Sequence, residues 1–262
     1  MTTTTSIRSR LASNLPVRAI NLGQLASSKL IDIVAMHTGW HAIWIDQEHA
    51  AIDQPSIEHL VRACRANGLD SWVRLAPTDY ATAMRPLEAG AGGVMAAQIA
   101  GATDARQFVE WTRFPPIGRR GLNTSNYEGN WGTSEPAELM ARSNATAWVA
   151  VQIETASAVD EADAIAAIDG LDHLFVGPAD LSVALGVPGQ YLHERCVAAL
   201  QRVSAAVAAA GKTWGILARG PEHAAVCADL GCKLFAFASD LSLVHAGMRA
   251  TKSTYEKYFT AD

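Results

Sequence analysis

The sequence predicts a single α/β domain folded as one closed (β/α)8 TIM barrel. Its 262 residues match the ~250 typical of that fold. Short apolar runs alternate with amphipathic helical stretches from end to end, and eight such runs can be counted. No linker, charge run, composition shift or strong internal repeat interrupts the series, which favours one barrel over two domains.

The strand candidates are residues 17–22, 42–46, 71–75, 92–97, 148–153, 173–176, 213–217 and 233–237. Each is short and continuously apolar, as parallel strands buried on both faces are. Between the second and third, Ile57, Leu60, Val61 and Cys64 fall at i, i+3, i+4 and i+7, with Asp53 and Pro55 as start signals. Val197, Leu200, Val203 and Val207 form a second apolar stripe that Gly211 stops, and Gly220-Pro221-Glu222 opens a helix ended by Gly231. The domain is expected to span residues 1–262, with a tail and short helix starting near Ser6 in residues 1–14 and a C-terminal helix over 240–262.

Composition narrows the function classes. Hydrophobic residues make up 49% and charged residues 18%, enough for a large core. No apolar run reaches the ~18 residues a membrane span needs. The net charge of −5 argues against nucleic acid as a main partner, while leaving room for a locally basic pocket and an anionic small molecule. Cys64, Cys196, Cys227 and Cys232 form no CxxC pair and sit in apolar contexts, as buried free thiols in a reducing cytoplasm do. The first residues carry no apolar segment of the secretory type.

Residues 114–133 break the rhythm: they are long, polar and glycine-rich. Loops of that length are usually functional or disordered. With Arg119, Arg120, Asn123, Asn126, Tyr127 and Trp131, this one reads as a binding loop that covers substrate.

In a TIM barrel the active site gathers at the C-terminal ends of the strands. There the second strand supplies Asp46, Glu48 and His49, the third Arg74, the fifth Gln152 and Glu154, the sixth Asp180, and the seventh Leu217. Each has a structural alternative: a helix cap for a lone acid, a barrel salt bridge for Arg74, a core histidine for His49. Convergence favours function, because several carboxylates buried together need a cation or shared protons. Glu154 and Asp180 are hard oxygen ligands on neighbouring strands, suited to Mg2+ or Mn2+. A metal there would chelate a 2-oxo acid, and Arg74 would face the developing enolate oxygen. The turn Gly177-Pro178-Ala179-Asp180 leads into a helix whose free N–H groups can cradle a carboxylate.

The segments IDQEH, VRLA, RFPPIGRRG, VQIET and VGPADLS, in this order and spacing, resemble the HpcH/HpaI family of class II pyruvate aldolases. The resemblance covers residues 21–249. It implies a phosphoenolpyruvate/pyruvate-type barrel cleaving or forming 4-hydroxy-2-oxo acids from pyruvate and an aldehyde, with oxaloacetate decarboxylation as a side activity. It implies a divalent metal (Mg2+ or Mn2+, with Co2+ or Zn2+ as alternatives) on Glu154 and Asp180. It also implies Arg74 on the enolate oxygen, His49 as general base, and Glu48 and Asp46 ordering waters. The assembly implied is a homohexamer whose last helix packs on a neighbouring subunit. Two departures stand out. The family commonly pairs the histidine with an aspartate where this chain has Glu88, and the fourth strand reads VMAAQI, with Gln98 near the mouth, which bears on aldehyde specificity. The competing readings are an acyl-CoA lyase of the citrate-lyase or malyl-CoA type and a non-catalytic barrel scaffold. No basic site for the CoA phosphates stands out, and the intact Arg74, Glu154 and Asp180 set opposes the scaffold.

Overall fold

A computed structural model describes residues 6–259. The first half contains α1 Ile7–Ala12, β1 Val17–Leu22, α2 Ser28–Met36, β2 Ala42–Asp46, α3 Gln54–Ala66, β3 Asp70–Leu75, α4 Tyr80–Glu88, β4 Gly93–Ala96, α5 Ala102–Thr112 and α6 Pro136–Thr146. The second contains β5 Trp148–Ile153, α7 Ala156–Asp160, α8 Ala162–Ala166, β6 His173–Val176, α9 Pro178–Ala184, α10 Glu194–Ala209, β7 Thr213–Leu217, α11 Pro221–Asp229, β8 Leu234–Ser239 and α12 Asp240–Thr254. The strands pair in parallel in chain order, and β8 closes on β1. No helix among the described residues is long and apolar enough to cross a membrane.

Strand ends shift by one or two residues from the sequence expectation, for local reasons. β3 starts at Asp70, whose carboxylate accepts the N–H groups of Ile7 and Ser71 and ties α1 across the barrel's base. β4 stops at Ala96 because Gln98 adopts φ 52° and turns the chain toward the centre. β8 runs to Ser239 through a bulge: Ala19 pairs with Ala236 and Ile20 with Ala238, so Phe237 is left over and exposed.

Alternation along the strands separates two apolar layers. The outward set of β2, Ile43 and Ile45, joins the core beneath the helices, where α3 contributes the buried stripe Ile57, Leu60, Val61 and Cys64. The inward set contains Ala42, Trp44, Trp72, Met95, Trp148, Ala150, Phe175 and Leu234, with Ile7 and Leu11 of α1 joining from below. Trp44 stacks on Trp72 at 5.9 Å and meets Phe175 edge-on at 5.2 Å, while Trp72 meets Trp148 at 5.7 Å. These rings make a solid floor halfway up the barrel. All four cysteines are buried and free, and burial pushes the Cys64 and Cys227 thiols up to about 12.

Two features depart from compact packing. Asp240 is the sole buried residue of α12, where it accepts the N–H groups of Gly23 and Leu25. Beyond it Leu241, Leu243, Val244, Met248, Tyr255, Tyr258 and Phe259 are exposed. The expected C-terminal helix ends at Thr254 and continues as one 3-10 turn, Glu256–Tyr258; residues 260–262 lie outside the described residues, as do 1–5 of the expected N-terminal tail. The loop of residues 114–133 does not cover the strand ends of its own chain. α5 runs antiparallel to β4 and delivers the loop to the far end and flank, where Tyr127 lies 3.5 Å over Arg65 and Glu128 N–H bonds the Glu88 carbonyl. Arg120, expected to bind, is buried against Glu128, Ser143 and the Phe114 ring.

Candidate active site

The inward alternation that builds the aromatic floor places polar side chains directly above it. Two residues beyond Trp44 on β2 comes Asp46; two beyond Trp72 on β3 comes Arg74; two beyond Ala150 on β5 comes Gln152, then Glu154. Trp44 supports Arg74 from below, its ring 4.8 Å from the guanidinium carbon. The cation–π contact was invisible in the sequence, because Trp44 reads there only as core.

Arg74 is 5% exposed and held from several sides. Its Nε and Nη2 donate to Asp46 Oδ1 and Oδ2 at 3.0 and 2.6 Å. Nη1 lies 3.0 Å from Glu48 Oε2, off the N–H direction, so this pair is one of charge rather than an aligned hydrogen bond. Nη1 also donates to Gln152 Oε1 at 3.4 Å. Gln152 in turn donates to Glu154 Oε2 at 2.7 Å, and Gln98 N–H donates to Glu154 Oε1 at 2.7 Å. The positive φ at Gln98 therefore serves to aim a backbone donor at Glu154.

The Asp46 carboxylate bonds Arg74 and the N–H groups of Glu48 and His49, so it fixes both the guanidinium and the turn after β2. Glu48 remains beside Arg74. His49 reaches outward, its side chain 62% exposed, with Nε2 3.9 Å from Glu48 Oε2.

Asp180 stands in the first turn of α9, across from Glu154. Gly177 allows the approach: a Cβ there would lie 2.3 Å from Glu154 Oε2 and 2.5 Å from Gln152 Nε2. Pro178 opens the helix, and the first-turn N–H groups of Ala179 and Asp180 have no intrahelical acceptor. Leu217, ending β7, packs on the interior cluster from the opposite side. Asn21 on β1 also lies on the inward face, and its buried Nδ2 has no hydrogen-bond partner. The sequence reading missed it; the only signal was a polar residue at an inward position.

The electrostatics are strongly acidic. Burial pushes Glu154 up to about 7, with the charges of Glu48 and Asp180 adding to the rise and the Gln98 N–H and Arg74 opposing it. Burial likewise raises Glu48, against the pull of Arg74 and His49. Asp46, Glu48, Glu154 and Asp180 thus face one guanidinium.

Glu88 closes α4, at the end of the barrel away from the mouth, so it does not meet His49 within one chain. Its neighbours are Arg120, Glu128 and Arg85, and burial raises its carboxyl.

The profile of the HpcH/HpaI aldolase/citrate lyase family matches residues 23–246. The chain belongs to this family. Among curated relatives, a 2-keto-3-deoxy-L-rhamnonate aldolase of Salmonella gallinarum is 32% identical over 211 residues, covering 80% of this chain and 78% of that protein. A 5-keto-4-deoxy-D-glucarate aldolase of Salmonella arizonae is 31% identical over 233 residues, covering 89% and 90%. Among solved structures, an HpcH/HpaI aldolase/citrate lyase family protein of Burkholderia cenocepacia superposes with a TM-score of 0.87 at 32% identity, covering 98% of this chain and 100% of that one. The mouth just described is thus that of an HpcH/HpaI family member.

Proposed function

We propose that this chain is a divalent-metal-dependent aldolase that forms and cleaves 4-hydroxy-2-oxo acids through a pyruvate enolate. The observation that carries the reading is the placement of an immobilised guanidinium, Arg74, near a buried carboxylate, Glu154, the two joined through the Gln152 amide.

The donor set fits a cation. No group of three or more metal-ligating side chains occurs among the described residues, but Glu154 and Asp180 offer hard oxygens, and four carboxylates about one arginine leave a charge deficit that a cation relieves. Glu154 and Asp180 would hold Mg2+ or Mn2+, with Co2+ and Zn2+ also compatible. The ion would supply Lewis-acid charge at the oxygens of a 2-oxo acid.

The chain's own groups do the rest. The Ala179 and Asp180 N–H groups receive the pyruvate carboxylate. Arg74, prevented from turning away by Asp46, faces the oxygen on which charge develops. His49 Nε2, exposed above Glu48, takes the methyl proton and returns it to the aldehyde oxygen. Leu217 and the aromatic floor keep the methyl side dry. The exposed apolar face of α12 supports a homo-oligomer, and the position of Glu88 requires that any contact with His49 come from a second copy.

Enolate formation needs no aldehyde, which gives a direct test. Protein incubated with pyruvate and Mg2+ in D2O should exchange the methyl protons, followed by proton NMR. Chelation, Glu154→Gln, Asp180→Asn or Arg74→Ala should stop the exchange. Folded, metal-loaded wild type with no exchange above the metal-only background would refute the proposal.

A further inference from the structure

The His49 ring stands free of its surroundings. No hydrogen bond reaches it among the described residues, and Glu48 Oε2 lies 3.9 Å from its Nε2. Its place over the mouth is therefore set by the backbone that carries it. Two contacts grip that backbone at His49 itself. From inside the barrel, Asp46 Oδ1 accepts the His49 N–H at 3.3 Å. From outside, Gln24 Nε2 donates to the His49 carbonyl at 2.9 Å.

Gln24 is an exposed residue in the loop between β1 and α2, and a surface side chain restrains a carbonyl only if its own backbone is ordered. Asp240 orders it. Asp240 Oδ2 accepts the N–H groups of Gly23 at 2.9 Å and Leu25 at 2.7 Å, one on each side of Gln24. An ionised carboxylate makes these charge-assisted bonds, stronger than neutral ones. The bulge at Phe237 sets the register: it brings Ser239 opposite Asn21, so Asp240, next in the chain, stands at the start of residues 23–25. Capping α12 would not require this second oxygen, because Oδ1 alone accepts the first-turn N–H of Leu241 at 2.8 Å. The loop also touches the turn after β2 directly: a Cβ on Gly23 would lie 3.7 Å from Ala50 Cβ and 3.8 Å from Asp46 Cβ.

We infer that Asp240 and Gln24 are positioning residues for His49: Asp240 holds the loop of residues 23–25, and Gln24 carries that restraint to the backbone of the base. The chain of contacts runs from the first turn of α12 to the proton-transfer group and touches neither Arg74 nor Glu154. It therefore acts on the rate of proton removal and leaves pyruvate binding alone. A histidine held only through its backbone loses its alignment when that backbone drifts, and a misplacement of about 1 Å is enough to slow a step by up to ~10^2-fold. The inference rests on the reading of His49 as the general base.

The test measures kcat and KM for pyruvate methyl exchange in D2O with Mg2+, with folding of each variant checked by circular dichroism. Gln24→Ala should lower kcat by about 3- to 10-fold, the worth of one neutral hydrogen bond, with KM for pyruvate unchanged. Gln24→Lys restores a donor to the His49 carbonyl and should recover most of the rate, whereas Gln24→Glu, which sets a carboxylate against that carbonyl, should not. Asp240→Ala should lower kcat by up to ~10^2-fold. Adding Gln24→Ala to it should cost little more, because the two residues act in series. Should Asp240→Ala fail to fold, the Gln24 series decides alone. Wild type without exchange, or His49→Ala as fast as wild type, defeats the functional reading and this inference with it. With exchange present and dependent on His49, three results overturn the positioning role alone. These are a Gln24→Ala kcat within about twofold of wild type, equal rates for the Lys and Glu variants, or a folded Asp240→Ala that exchanges at the wild-type rate.

Discussion

Replacing Asp46 by Asn would test how Arg74 is held. The two side chains are 6% and 5% exposed, and the pair is joined by hydrogen bonds of 3.0 and 2.6 Å. Asn keeps the volume, and its oxygen can still accept from Arg74 Nε and from the N–H groups of Glu48 and His49. It removes the charge and turns an NH2 group toward Arg74 Nη2, donor against donor. Breaking a buried pair by disabling one partner costs about 3–5 kcal/mol. Glu48, 3.0 Å from Nη1, still offsets the arginine, and it ionises more readily once the Asp46 charge that raises its pKa is gone. The lower end, about 3 kcal/mol, is therefore expected. At roughly 2–4 °C per kcal/mol for a chain near this size, Tm should fall by about 6–12 °C. A guanidinium displaced by ~1 Å should slow pyruvate methyl exchange by up to ~10^2-fold. Thermal melts of the metal-free protein by circular dichroism and the D2O exchange assay measure the two effects. A Tm within about 2 °C of wild type, together with an unchanged exchange rate, would refute the claim that Asp46 positions Arg74.

Glu154 makes the stability of the metal-free protein pH-dependent with a definite sign. Its pKa is raised from 4.5 to about 7, so the folded state keeps a proton that the unfolded chain releases: no penalty exists below about pH 4.5, and stability falls on the order of 3 kcal/mol as pH rises through about 7. Relative to Glu154→Gln, wild type should lose urea resistance over that interval, and saturating Mg2+ should shrink the loss; parallel profiles would contradict the assignment. His49→Ala should slow the exchange by ~10^2–10^4-fold. If Glu88 orients His49 from a second copy, mixing His49→Ala with Glu88→Ala protein should regain activity that neither has alone; a mixture no better than its components would exclude that contact. Met248→Glu combined with Tyr258→Glu should lower the sedimentation mass if α12 packs on a neighbouring subunit, and an unchanged mass would assign that face elsewhere.

Periodicity alone determined the barrel. Short apolar runs fix parallel strands buried on both sides, the helix stripes fix what covers them, and alternation then puts Asp46, Arg74, Gln152 and Glu154 on the inward face; all of this is local in the chain and readable from it. Tertiary structure decided what those residues do to one another. That Asp46 grips Arg74, that Trp44 supports the guanidinium, and that Gln98 turns its N–H onto Glu154 depend on the register between neighbouring strands. A sequence carries no register. The same holds for residues 114–133 and Glu88, whose polar chemistry marked them for the site. Helices run antiparallel to the strands they cover, so residues at the C-terminal end of a helix fold to the far end of the barrel from the mouth.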